Sequence, residues 1–242
     1  MDKVTEENNN LSKELITTAD SASFVRLINQ STGKAQNITL ANLAKLVADI
    51  NVQSDTDLPS GGVYASVDLG LPSGTLWATH NIGATKPEEY GDLFAWGATE
   101  PYRLNGTTPI DNTDNYAKSY ANTIQHDLYP NEDVATVKWG KGWIMPTKAQ
   151  FEELLANTTN VWTTQNGING RKFTASNGNS IFFPAAGNVN GGSLVNRGSG
   201  GYFWSRTRCS ATYAWRLYVL SGGAGVDSSL RFYGFSVRPV RG

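Results

Sequence analysis

The chain has 242 residues, 39% of them hydrophobic and 11% aromatic, which suffices for one or two domains with a sizeable core and argues against wholesale disorder. Only 17% of residues are charged and the formal net charge is −1, so a nucleic-acid partner is not expected. No run of about 18 apolar residues exists to cross a membrane. The single cysteine, Cys209, excludes an intramolecular disulfide and a cysteine-cluster zinc site. Residues 1–10 lack the basic and apolar regions of a secretory signal.

In chain order, residues 1–20 read as a polar, frayed lead-in. Phe24–Ile28 and residues 35–38 read as a hairpin about the turn Ser31-Thr32-Gly33-Lys34. Thr39 then caps a helix through Ile50, with Leu40, Leu43, Val47 and Ile50 on one stripe. The stripe packs either on the hairpin or on copies of itself; a segment this short makes a thin core, so self-association, as in a trimer, is one expectation. The expected organisation is an attachment or oligomerisation segment (1–52), a polar Pro/Gly linker (53–62) and a ligand-binding domain (63–242).

All seven tryptophans, Trp77, Trp96, Trp139, Trp143, Trp162, Trp204 and Trp215, fall in the second domain and predict a large buried area. Thr147-Lys148-Ala149-Gln150 is a capping box that opens a helix, with Phe151, Leu154 and Leu155 on its buried face and Asn157 as its stop. Beyond Asn160, strands are predicted at 172–174, 180–183, 201–204, 214–220 and 235–240. In the strand 214–220, alternation puts Trp215, Leu217 and Val219 in the core and Arg216, Tyr218 and Leu220 on the other side. Trp215→Ala is therefore expected to unfold the domain, a change that costs about 3–5 kcal/mol in a core. Alanine at Arg216 and Tyr218 is expected to abolish binding and barely move the melting temperature.

The C-terminal quarter is skewed. Residues 181–242 carry seven arginines against one acid, Asp227, a local charge of +6 that either forms a basic face for an anionic partner or is incidental surface charge. All 22 asparagines lie at or before Asn196, and lysine, glutamate, glutamine and methionine are missing after Lys172. What remains between Arg206 and Tyr233 is rich in Arg, Tyr, Ser and Gly, the vocabulary of antibody-like paratopes.

Four motifs in order, Val67-Asp68-Leu69-Gly70-Leu71-Pro72-Ser73-Gly74-Thr75-Leu76-Trp77-Ala78, Tyr90-Gly91-Asp92-Leu93-Phe94-Ala95-Trp96-Gly97, the stretch from Trp139 through Trp143 to Pro146-Thr147, and Gly234-Phe235-Ser236-Val237-Arg238-Pro239-Val240-Arg241, resemble the C-type-lectin-fold variable proteins of diversity-generating retroelements over residues 63–242. The resemblance implies an α+β fold: a C-type-lectin-like domain of the formylglycine-generating-enzyme-like subgroup, here preceded by a hairpin-plus-helix segment. It implies a variable region at about 202–241 in which asparagine AAY codons have become NNY codons, which cannot specify Lys, Glu, Gln, Met or Trp. Trp204, Trp215, Gly234 and Phe235 are then fixed scaffold. The diversified, ligand-binding positions are Arg206, Arg208, Cys209, Ser210, Thr212, Tyr213, Arg216, Tyr218, Leu220, Gly223, Gly225, Asp227, Ser228, Ser229, Leu230 and Tyr233, expected together on one exposed face. The implied function is recognition of a bacterial surface glycan or protein by a phage tail protein on the virion, or by a bacterial cell-surface protein, with no cofactor.

Enzyme readings are weaker. One cysteine cannot supply the pair of a formylglycine-generating enzyme, and neither His80 nor His126 has a nucleophile elbow beside it. The carboxylates Glu88-Glu89, Asp111/Asp114 and Glu152-Glu153 are candidate glycosidase pairs, as in a polysaccharide-degrading tail protein, although solvation accounts for them. Residues 111–115 (DNTDN) lack the glycine and terminal glutamate of an EF-hand, and no calcium-lectin Trp-Asn-Asp motif occurs, so no metal is expected at the ligand site and calcium-mediated sugar binding is not supported, while a structural ion is left open.

Overall fold

The computed structural model describes the strands at 15–20, 24–28 and 35–39, and residues 64–109, 124–140 and 142–242. The chain divides into two compact units, Met1–Gly61 and Gly62–Gly242. In the first, β1 (Leu15–Asp20), β2 (Phe24–Ile28) and β3 (Ala35–Thr39) form one antiparallel sheet in that order. The β2–β3 hairpin runs in register from Phe24↔Thr39 to Ile28↔Ala35. Strand β1 occupies part of the lead-in that the sequence marks as frayed. The helix expected over 40–50 lies outside the described residues, as do Asp111 and Asp114.

The second unit overturns the α+β expectation. Its described part is mostly short strands in small antiparallel sheets, with helix confined to α1 (Val134–Trp139) and α2 (Lys148–Asn157). The reason is local: apart from these two stretches, runs of threonine, valine and aromatic residues are broken every few positions by glycine or asparagine, which favours strands and turns over helix. The strands are β4 (Ser66–Asp68), β5 (Leu76–Ala78), β6 (Leu104–Asn105), β7 (Thr108–Pro109), β8 (Thr158–Gln165), β9 (Ile168–Ala175), β10 (Ser180–Pro184), β11 (Asn188–Asn190), β12 (Ser193–Val195), β13 (Gly200–Arg208), β14 (Tyr213–Leu220), β15 (Gly223–Leu230) and β16 (Val240–Arg241). They pair as β16-β5-β4, β6-β7, β10-β9-β8, β11-β12 and β13-β14-β15. Helix α2 carries the predicted capping box, with the Thr147 and Gln150 side chains each accepting the other's backbone N–H.

Sheet β13-β14-β15 stands between two parts of the core. Phe203, Leu217 and Val219 join Trp77, Phe151, Phe173 and Phe183 on one side. Trp204 and Ala214 join Phe94, Trp96, Trp139, Trp143 and Phe235 on the other. The Trp204 ring lies 4.3 Å from that of Phe235, and its indole N–H donates to the Phe94 carbonyl at 2.9 Å. Trp215 departs from its expected core role. It shares the side of Leu217, but at the strand end where α2 begins, and it is half-buried with the Lys148 ammonium 4.6 Å from its ring. Trp204→Ala should therefore destabilise the domain by about 3–5 kcal/mol. Trp215→Ala should cost about 1 kcal/mol and leave cooperative unfolding intact; thermal melting of the two variants separates these outcomes.

Candidate ligand-binding face

Strand register distributes the sixteen sequence-selected positions over the sheet and its ends. Tyr202 pairs with Tyr218 and Tyr218 with Gly225; Trp204 pairs with Arg216 and Arg216 with Asp227; Ala214 pairs with Ser229. Partners in an antiparallel pair share a side, so Arg216, Tyr218, Leu220, Gly223, Gly225, Asp227 and Ser229 lie on one side of the sheet. Tyr233 belongs with them, its ring 5.8 Å from that of Phe235. By the same alternation Tyr213, Ser228 and Leu230 turn to the side of Trp215. At the tip, Arg206 lies in the register shift between Trp204 and Arg208, Arg208 pairs with Ala214, and Cys209, Ser210 and Thr212 form the turn beyond that last pair. The positions therefore do not make one surface, and Leu220↔Gly223 sits at the opposite end of the hairpin from Tyr213↔Leu230, about 23 Å away.

Arg216 is not a free surface charge. Its side chain is 14% exposed. The guanidinium carbon lies 5.0 Å from the ring centre of Tyr202, 5.4 Å from Tyr218 and 5.7 Å from Phe235. Its Nε donates to Ser229 Oγ at 2.5 Å, and Ser229 is itself buried. Burial pushes the pKa of Arg216 down, with Asp227 and the surrounding tyrosines opposing. Tyr218 lies across Gly225, where a Cβ would fall 2.5 Å from the Tyr218 hydroxyl. A side chain at 225 thus displaces the ring at 218, which couples the two positions.

The tip arginines are tied down as well. Arg206 donates to the Leu128 carbonyl, while its own carbonyl accepts the Leu128 N–H at 3.1 Å. Arg208 gives its backbone N–H to Asp127 Oδ1 at 2.8 Å and a guanidinium N–H to Gln125 Oε1 at 3.0 Å. Arg231, fully buried and 4.3 Å from the Trp96 ring, donates to the carbonyls of Ile124 (2.7 Å), Ser210 and Tyr213 (3.3 Å). Desolvation lowers its pKa to about 10, with the Arg208 charge adding to the shift. Three arginines thus strap residues 124–128 to the tip. Directly after that segment comes the half-exposed Tyr129, stacked on its His126 at 3.8 Å. Sequence reasoning missed this contribution, because the only signal was an isolated histidine.

The +6 balance is accordingly not a basic surface. Of its seven arginines only Arg197 and Arg241 are exposed; Arg231 and Arg238 have no exposed area, Arg216 is mostly enclosed, and Arg206 and Arg208 are half-buried. The acidic pairs considered for catalysis serve separate local contacts. Glu88 accepts from Asn166, Glu89 from Thr85, Glu152 from Lys148, and Glu153 from the backbone and hydroxyl of Ser73. Cys209 is exposed and His80 is buried among Tyr64 and Trp139.

Residues 148–240 match the model of a family described as a domain of unknown function (DUF8237). The match begins at α2, includes the whole β13-β14-β15 sheet, and ends in β16. Searches of curated proteins and of solved structures returned no match.

Arg231→Met should leave the buried carbonyls of Ile124 and Ser210 without this donor, at about 1–3 kcal/mol each, and lower the melting temperature sharply. Arg208→Ala, at a half-exposed site, should shift it by only a degree or two; a comparable loss in both would show that the strap has no dominant tie.

Proposed function

We propose that this chain is a retroelement-diversified recognition protein, of the phage tail receptor-binding type, that adheres to a bacterial surface glycan or protein. The observation that carries this reading is the division of labour in sheet β13-β14-β15. One side is locked into the core by Phe203, Leu217 and Val219; on the other, Trp204 and Ala214 join a second part of the core, and Arg216, Tyr218, Asp227, Gly225 and the buried Ser229 line the rest. Each of those five residues is encodable by NNY, and of the two tryptophans here, which NNY cannot encode, Trp204 is wholly buried scaffold and Trp215 is half-buried on the opposite side. Tyrosine rings supply rigid contact area and the arginine supplies directional, charge-assisted bonds. Arg206, Arg208 and Arg231 act behind this surface by holding the tip and the 124–128 segment as one body. In this reading the first unit attaches the protein to a larger particle or joins copies of it, as in a trimer. No helix among the described residues is long and apolar enough to cross a membrane.

Sequencing the genomic neighbourhood tests the proposal. A near-copy of the codons for residues 202–241, with AAY at Arg216, Tyr218, Gly225 and Asp227 and beside a reverse-transcriptase gene, is the expected result. A copy with AAY at Leu217 or Val219, or a neighbourhood with no copy, would contradict it.

A further inference from the structure

We propose that the outer edge of strand β8, centred on Trp162, is a strand-pairing site for a second copy of this chain. The two β8 strands run antiparallel about a twofold axis at Trp162 and join two copies of sheet β10-β9-β8 into one. The proposal stands apart from the recognition reading and does not rest on it.

Register leaves this edge open. The turn Asn166-Gly167, with φ of 47° and 82°, closes a two-residue hairpin on the pair Gln165↔Ile168. Counting back from that pair, Gln165, Thr163, Val161 and Thr159 exchange backbone hydrogen bonds with β9, while Asn160, Trp162 and Thr164 turn theirs outward. The other side of β9 keeps the same parity. There the Asn169 carbonyl accepts the Ala185 N–H at 2.8 Å, and the Ala175 N–H donates to the Asn179 carbonyl at 2.9 Å. Among the described residues, the outward backbone groups of β8 meet only Arg171. Its Nη1 reaches the Asn160 carbonyl at 3.4 Å, which leaves that oxygen a lone pair.

The other long strand edges are closed or blunted. At β10 the Phe182 carbonyl accepts from Arg238 and the Pro184 carbonyl from the Ala186 N–H, both at 2.9 Å. Strand β13 gives its Trp204 N–H to Ser236. On β15 the Ser228 N–H goes to Asp227 Oδ1 at 2.7 Å and the Leu230 carbonyl to the Tyr233 N–H at 3.1 Å, and the exposed Asp227 charge stands on the strand. Strand β8 (TTNVWTTQ) uses none of these devices. It has no charge and no proline, and its pairing with β9 runs unbroken over eight residues.

Trp162 is the second observation. It is half-buried and outside the clusters that hold Trp77, Trp96, Trp139, Trp143 and Trp204. Trp215 is outside them too, but has the Lys148 ammonium over its ring. Trp162 has no ring, cation or hydrogen-bond contact among the described residues. Beside it Val161 is 57% exposed. Uncovered tryptophan and valine next to free backbone groups match the composition of an interface core.

The same strand fits this edge. With Trp162 opposite its own counterpart, Asn160 falls opposite Thr164 in both directions, so every outward residue meets an outward residue and about six backbone bonds form. On the outer face Val161 falls beside Thr163, a pair of β-branched side chains. An uncharged strand brings no like charges together when it pairs with itself, and it offers a charged peptide no complementary partner. One strand pair is a small interface, so association is expected at high micromolar rather than nanomolar concentration.

Sedimentation of the full chain from low micromolar to submillimolar concentration tests this. The wild type should associate to twice the mass of the Trp162→Lys chain, in which two like charges meet at the axis. Thr164→Pro removes an N–H that faces away from β9, so it should block association while cooperative melting is kept. Trp162→Glu should also fail to associate alone, and its mixture with the Trp162→Lys chain should restore association, because position 162 lies opposite itself only in this register. A wild-type mass independent of concentration would overturn the proposal. So would variants that associate as the wild type does, which would assign the joining of copies to the first unit. A mixture of the two charge variants that stays unassociated would overturn it as well.

Discussion

The second unit depends on how its last residues are laced into it. The chain from Gly234 to Val240 bridges, one after another, to strands far away in sequence. Phe235 exchanges backbone hydrogen bonds with Phe94, the Trp204 N–H donates to the Ser236 carbonyl, Ile82 to Val237, Ala78 to Pro239, and Ile144 exchanges with Val240. Arg238 sits in the middle with no exposed surface and pulls the 78–81 turn and β10 onto the same segment. Its burial lowers its pKa to about 9, the cost of a cation held by carbonyls and an amide alone. A single extended segment therefore supplies the edge or bridge that most of the small sheets need, and none of them is large enough to stand alone.

This lacing explains how a loop-rich domain offers an adaptable face. Phe235 lies under Tyr202, Trp204 and Tyr233, so the floor of the face is fixed from below by the C-terminal segment. The side chains above the floor contribute contacts to one another more than to the fold. Arginine is the residue that joins floor and face. Its planar fork reaches several carbonyls at once while its stem and π-system pack on Trp96, Phe183 or Tyr202, which a lysine ammonium does not reproduce.

The parts of the fold legible in the sequence were those with local signals. The capping box at Thr147 and Gln150 located α2 to the residue, and the apolar runs at 180–183, 201–204 and 214–220 located β10, β13 and β14. Strand β8 (TTNVWTTQ) and strand β15 (GAGVDSSL) lacked a clean apolar alternation and owe their conformation to their partners β9 and β14. The α+β class failed because one well-marked helix weighed more in the sequence than it does in the molecule. At the site, alternation separated Leu217 and Val219 from Arg216 and Tyr218, as the sheet does. It misjudged Trp215, which lies past the end of the core, and it could not show that Arg206, Arg208 and Arg231 spend their donors on the 124–128 segment, a contact between parts of the chain some 80 to 107 residues apart.

The central claim is that the scaffold holds its shape independently of the residues displayed on it. Amide hydrogen exchange on a chain carrying Tyr213→Ser, Tyr218→Ser and Asp227→Asn together measures this directly. Unchanged protection at the amides of Phe94, Trp96, Trp204 and Phe235, with faster exchange confined to β15 and the tip, is the predicted result. Loss of protection spread evenly over those four amides would show that the face is part of the core and contradict the account.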